Sequence, residues 1–163
     1  MRADFHVHST ASDGTLGPRE LVRLASDSGV THLSITDHDS VASWPEASSA
    51  ARDAGIALVP GVELSTRAED GRDIHLLGYF IDTDDDDLLT VLRSLREDRV
   101  DRAHRMIDSL VRSGFSIRLE DVLRHSGSGS VGRRRSFCIG TTRATLPRAM
   151  ETYLIRTFGC QMN

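Results

Sequence analysis

The sequence has 163 residues, of which 39% are hydrophobic and 27% charged, as in soluble globular domains. We find no apolar run that could cross a bilayer and no signal-peptide core, so we expect a cytoplasmic protein without a membrane partner. The formal net charge of −4 argues against an extensive nucleic-acid-binding surface, and two cysteines are too few for a disulfide scaffold.

Strand and helix patterns alternate along the first half of the chain. Four segments are typical of strands: 3–8, 30–36, 56–64 with a break at Pro60-Gly61, and 73–81. Two segments are typical of helices: 18–25, which begins with a proline, and roughly 44–54, which ends at Gly55. This alternation predicts an α/β fold with a mainly parallel sheet or barrel.

A helical insertion is predicted over about residues 83–125. The acidic run 84–87 is typical of a solvated helix start, and residues 88–113 carry apolar side chains at helical spacing. A second short helix is expected at 119–125. Arg96 and Arg99 of the long helix could bind a substrate phosphate, because arginine suits bidentate phosphate binding. A solvated helix face is the alternative interpretation of the same two residues.

Six side chains that can bind metal fall at or near successive strand ends. They are His6, His8, Asp13, His38, Glu63 and His75. His6 and His8 are two apart on a strand, so both imidazoles point to the same face. Because strand ends converge at one mouth of an α/β barrel, we predict that the six side chains form one metal cluster.

The mixture of imidazoles and carboxylates indicates which metals could bind. Nitrogen and oxygen ligands together suit Zn, Mn or Fe rather than Ca, and do not separate the three. A glutamate among several histidines can bridge two ions, and two adjacent ions can clamp a phosphoryl group and lower the pKa of a water molecule. The pattern therefore favours metal-dependent hydrolysis.

Four segments together resemble one known family. They are 4–16 with its His-x-His pair, 35–39 (Ile-Thr-Asp-His-Asp), 59–65 (Val-Pro-Gly-Val-Glu-Leu-Ser) and 73–78 (Asp-Ile-His-Leu-Leu-Gly). They resemble the PHP family, the polymerase and histidinol phosphatase superfamily, from about residue 3 to residue 132. Within it, the chain is similar to the small stand-alone branch that includes nucleoside-phosphate phosphoesterases and a 5′-to-3′ exoribonuclease.

The resemblance implies a fold, a cofactor and a reaction. The fold would be the N-terminal part of a distorted (β/α)7 barrel with two or three divalent ions (Mn, Zn or Fe) at its mouth. By matching position, one ion would be held by His6, His8 and Glu63, a second by Glu63 and His75, and a third by Asp13 and His38. The reaction would be hydrolysis of phosphate esters of nucleotides or oligonucleotide ends, by water that the metals activate. The sequence identifies no separate general base.

The end of the chain departs from this pattern. The segment 129–133 is followed in this branch by Pro-His, but here by two further arginines, and no histidine occurs after His125. We therefore expect an incomplete phosphoesterase domain over 1–132, with later barrel strands missing, and a non-family basic tail over 133–163. Residues 150–163 resemble the start of a radical-SAM tRNA methylthiotransferase, with Cys160 in a cluster-ligand position. A frameshift and a natural fusion both remain open.

The sequence thus supports two hypotheses for function. The first is a metal-dependent phosphoesterase that acts on a small nucleotide or oligonucleotide phosphate. The alternative is a truncated, catalytically impaired PHP fragment that binds metal incompletely. His32 and His104 are interpreted as packed or surface residues, and His125 as a substitute ligand at most. The substrate, the metal and the oligomeric state are not predicted.

Overall fold

A computed structural model of the chain describes residues 1–113. Its elements are β1 (Ala3–Val7), α1 (Pro18–Asp27), β2 (His32–Ile35), α2 (Trp44–Ala54), β3 (Ala57–Leu58), β4 (Gly61–Arg67), β5 (Asp73–Tyr79) and α3 (Asp86–Arg112). The predicted helix at 119–125, the segment 126–135 and the tail lie outside the described residues. Across residues 1–113, no helix combines the length and apolar character that a bilayer crossing requires.

The first three strands form the predicted parallel sheet, in the order β1-β2-β3. Helices α1 and α2 pack against it, because each presents small or branched apolar residues at helical spacing. The core between these layers contains Val22, Leu33, Ile35, Ala47, Ala50, Ala51 and Ile56. This core fixes the carboxyl ends of β1 and β2 side by side.

The expectation of a mainly parallel sheet is wrong for the two strands that follow. The predicted strand 56–64 splits at Pro60 into β3 and β4, and β4 pairs with β5 in an antiparallel hairpin. The reason is the short connection at 68–72, since parallel neighbours need a crossover of a dozen or more residues. A single parallel bridge between His38 and Glu63 links the hairpin to the end of β2.

Helix α3 begins in the predicted acidic run and contacts β4 of the hairpin. The Asp85 side chain caps it by accepting a hydrogen bond of 2.7 Å from the Leu88 backbone N–H. Its buried apolar residues are Leu92, Ala103, Ile107 and Leu110. A solvated helix face is the wrong interpretation for Arg99, whose side chain is 10% exposed because it turns towards the protein.

Candidate metal centre

Four of the six predicted ligands are imidazoles, and they stand in a row across the sheet ends. The ring centroids of His6 and His8 are 5.2 Å apart, those of His8 and His38 4.7 Å, and those of His38 and His75 4.9 Å. The first pair comes from the end of β1, His38 follows β2, and His75 lies on β5. The hairpin thus supplies the end of the row that a fourth parallel strand was expected to supply.

Glu63, on β4, lies at the centre of this row and is 3% exposed. Its Oε2 atom is 2.9 Å from His6 Nε2 and 3.0 Å from His8 Nε2, and 3.7 Å from His38 Nδ1. Its Oε1 atom contacts His75 Nδ1. The two oxygens of one carboxylate therefore face different imidazoles, as a bridging ligand would require.

Asp13 repeats this arrangement on the other side of the row. Its Oδ1 atom is 3.5 Å from His8 Nδ1, and its Oδ2 atom is 3.7 Å from His38 Nε2. The loop that carries Asp13 folds back tightly at Gly14, where a Cβ atom would lie 2.1 Å from the carbonyl oxygen of His8. Only glycine allows this close approach.

The six side chains form three overlapping groups of three. Within each group, the ligand atoms lie within 4.8 Å of one another. The groups are His6-His8-Glu63, His8-Asp13-His38 and His38-Glu63-His75. Ligand atoms bound about 2.0–2.2 Å from one ion lie roughly 3–3.6 Å apart. The separations of 2.9 to 3.7 Å around Glu63 and Asp13 match that spacing, so the donor set fits divalent ions.

The electrostatic environment of His38 favours the neutral form of its imidazole. Burial lowers the pKa of His38 to about 4, and the Arg99 charge adds to this against the opposing effects of Asp13 and Glu63. The buried His38 Nδ1 atom has no hydrogen-bond partner among the described residues. His38 is thus neutral near pH 7, which is the form that coordinates metal.

Glu63 is held in the charged form. Burial alone would raise the pKa of its carboxyl group, but hydrogen bonds with His6 and His75 and electrostatic interactions with His38 and His8 outweigh it and lower the pKa. A carboxylate is the form that bridges ions.

Two buried carboxylates on either side of His38 were missed as functional residues in the sequence. Asp37 and Asp39 are both fully buried, and each accepts hydrogen bonds from the backbone N–H and the hydroxyl of one serine. Those serines are Ser9 and Ser65. The only signal in the sequence is the Asp-His-Asp tripeptide itself, which does not reveal where the outer carboxylates point.

Arg96 and Arg99 lie beside the cluster but have partners in the protein. Arg99 Nε donates to Asp39 Oδ2 at 2.6 Å, and its guanidinium also donates to the Ser65 hydroxyl. Arg96 Nη1 donates to the backbone carbonyl of Asp39. Their predicted contact with a substrate phosphate therefore stays a prediction.

His32 and His104 are not in the cluster. His32 Nδ1 lies 2.9 Å from the Thr31 hydroxyl, and His104 is exposed on α3, so both interpretations are confirmed. His125 lies outside the described residues.

The parallel strand ends and the β4–β5 hairpin together carry a histidine-rich cluster that forms a candidate metal centre. The PHP domain matches residues 4–127, so the chain belongs to the PHP family. The predicted membership is thereby confirmed, while the resemblance of residues 150–163 to a methylthiotransferase stays a prediction.

Relatives and solved structures agree with this assignment. The chain is 44% identical over 112 residues to a 5′-3′ exoribonuclease of Haemophilus influenzae, covering 69% of this chain and 40% of the relative. It is 39% identical over 114 residues to a 3′,5′-nucleoside bisphosphate phosphatase of Chromobacterium violaceum, covering 69% and 39%. The chain thus spans about half the length, or less, of these relatives.

Two solved structures share the fold. An amidohydrolase from Chromobacterium violaceum, with bound sulfate and no metal, superposes with a TM-score of 0.76 at 28% identity, over 98% of this chain and 51% of that one. A protein of Bifidobacterium adolescentis assigned as a metal-dependent phosphoesterase has a TM-score of 0.71 at 31% identity, over 82% and 47%. The α/β fold class predicted from the sequence is confirmed.

Proposed function

We propose that this chain carries the metal-binding part of a phosphoesterase site that hydrolyses phosphate esters of nucleotides or short oligonucleotide ends. The observation that carries the proposal is Glu63, whose two buried oxygens face different imidazoles within one cluster. A carboxylate in this position can hold two ions side by side, which is the arrangement that clamps a phosphoryl group.

The six side chains of the cluster would hold the ions, with His6, His8 and Glu63 as one group. Divalent ions supply Lewis acidity, activate water and neutralise charge on phosphate oxygens. The protein's contribution is to hold the imidazoles and carboxylates close together, with the pKa values of His38 and Glu63 both lowered. Mn, Zn and Fe all fit a mixed nitrogen and oxygen donor set.

The proposed substrate class rests on relatives and on charge. Relatives at 44% and 39% identity are an exoribonuclease and a nucleoside bisphosphate phosphatase, so both substrate types are proposed for this chain. Arg99 lies close enough to lower the pKa of His38, and its positive charge would also attract a phosphate. We propose that Arg96 and Arg99 face that phosphate, while a cytoplasmic location and a domain over 1–132 remain part of the same proposal.

The test is phosphate release by the purified chain with Mn²⁺ added. The substrates are a nucleoside 3′,5′-bisphosphate and a short 5′-phosphorylated oligoribonucleotide, each assayed with and without EDTA. We expect metal-dependent turnover of at least one substrate and its loss in Glu63→Gln, with Glu46→Gln, an exposed carboxylate on α2, as the matched control. Metal binding without turnover of either substrate would contradict the activity and support the alternative of an impaired fragment.

A further inference from the structure

Asp37 and Asp39 form the same contact on opposite sides of the cluster. Asp37 Oδ1 accepts from the Ser9 backbone N–H and Oδ2 from the Ser9 hydroxyl, both at 2.7 Å. Asp39 accepts from the backbone N–H and hydroxyl of Ser65, again both at 2.7 Å. Each buried carboxylate therefore fixes the backbone and the side chain of one residue at once.

The Asp37 contact controls the loop that follows β1. Asp37 Oδ1 also accepts from the Ser12 hydroxyl at 2.6 Å, and the Ser12 oxygen lies 3.4 Å from His8 Nδ1. His8 Nδ1 faces Ser12 and Asp13, while its Nε2 atom faces Glu63. Asp37 thus sets the position of two ligands that it does not itself touch.

The Asp39 contact controls the hairpin instead. Ser65 lies opposite His75 in the β4–β5 register, so fixing Ser65 fixes the strand pair that carries His75. Asp39 also accepts from Arg99 of α3, which joins the helix to the same point. Its backbone has φ of 51°, in the left-handed region that aspartate and asparagine tolerate best among residues with a side chain.

Two carboxylates at these positions do what amides could not. A charged carboxylate accepts at both oxygens, whereas an asparagine offers one acceptor and places an NH₂ group against a donor. Outer partners that orient metal ligands typically change metal affinity about 10–100-fold when they are altered. The tripeptide Asp37-His38-Asp39 therefore links the loop after β1 to the β4–β5 hairpin, with His38 between the two carboxylates.

We propose that Asp37 and Asp39 are positioning residues that divide the metal centre, with Asp37 holding the His8 and Asp13 side and Asp39 holding the His75 side. This inference rests on the proposed metal site and adds to it a separate control for each half. Neither carboxylate is in the predicted ligand set, and both act through the serines that they fix.

The test is a Zn²⁺ titration of the full chain followed by the imidazole NMR signals of His8 and His75, with His104 as the internal reference. In Asp37→Asn we expect the His8 response to need about 10–100-fold more Zn²⁺ while the His75 response moves little. In Asp39→Asn we expect the reverse. Asp53→Asn, an exposed carboxylate on α2, should match the unaltered chain.

Smaller changes guard against loss of folding in either variant. Ser12→Ala removes one hydrogen bond to Asp37, and Ser65→Ala removes one to Asp39. Each should raise the Zn²⁺ requirement of the same histidine as the corresponding aspartate variant, but by a smaller factor. If the Zn²⁺ requirement of both histidines rises equally, or does not differ from that in Asp53→Asn, the inference is overturned while the metal site stands. If the unaltered chain shows no response of either histidine, the proposed metal site and the inference fail together.

Discussion

Arg99 and Asp39 form an ion pair inside the protein, with Arg99 Nε 2.6 Å from Asp39 Oδ2. The carboxylate is fully buried and the arginine side chain is 10% exposed. Removing one partner leaves a buried charge without its counter-charge, which costs about 3–5 kcal/mol. We therefore expect Arg99→Ala to lower the free energy of unfolding by about that amount, measured by urea denaturation without metal.

The matched control for this prediction is Arg93→Ala on the same helix. Arg93 is exposed, and exposed substitutions usually change stability by no more than about 0.5 kcal/mol. Equal stabilities of the Arg99 and Arg93 variants would show that the ion pair does not hold α3 against the hairpin.

A second prediction concerns the close approach of Gly61 to β2. A Cβ atom at this glycine would lie 2.3 Å from the Ser34 hydroxyl oxygen and 3.0 Å from Thr36 Cγ2. We expect Gly61→Ala to destabilise the chain by about 1–3 kcal/mol through overpacking. Ser34→Ala should recover part of that loss, because it removes the oxygen that the new Cβ atom would meet. The change breaks no hydrogen bond of Ser34 among the described residues.

Thermal unfolding of the two single variants and the double variant measures this coupling. Gly17→Ala is the control, since its nearest neighbour would be a Glu20 oxygen at an ordinary 3.6 Å. Additive effects of Gly61→Ala and Ser34→Ala would mean that the two positions do not meet as described.

The third prediction concerns the dependence of stability on pH in the metal-free chain. Burial, aided by Arg99 and opposed by Asp13 and Glu63, lowers the pKa of His38 from its ordinary 6.5 to about 4. Between these values the unfolded chain binds a proton that the folded chain does not. The contribution of His38 to the free energy of unfolding is therefore largest above about pH 6.5 and decreases as the pH is lowered towards 4.

The midpoint of thermal unfolding in EDTA, measured from pH 7.5 to pH 5, checks this dependence. The window excludes most of the contribution of Glu63, whose carboxyl pKa lies below its ordinary 4.5. We expect a smaller slope in His38→Gln and an unchanged one in His104→Gln. If the midpoint of His38→Gln changes with pH as much as that of the unaltered chain, His38 is not the source of the pH dependence.

The sequence was sufficient to predict which side chains meet in the cluster. His6 and His8 share a strand face because of the two-residue period, and parallel strand ends bring His38 beside them. The two-residue period and the meeting of parallel strand ends do not depend on the detail of side-chain packing, so these positions follow from the sequence pattern.

What the sequence could not predict depends on contacts between distant residues. The direction of β5 was missed because His75 reaches the cluster from an antiparallel strand as well as it would from a parallel one. The roles of Asp37, Asp39 and Arg99 were missed because their partners lie 25 to 60 residues away in the chain. A buried arginine and a solvated one have the same helical spacing, so only packing distinguishes them.

Counting the ions bound per chain tests the central claim most directly, which is that Glu63 joins two groups of imidazoles into one metal centre. The measurement is equilibrium dialysis against Mn²⁺ followed by metal analysis, for the unaltered chain and for Glu63→Gln. We predict two or more ions bound by the unaltered chain, and loss of at least one in the variant, because an amide cannot bridge with two charged oxygens. Fewer than one ion per unaltered chain, or an equal count in Glu63→Gln, would contradict the account.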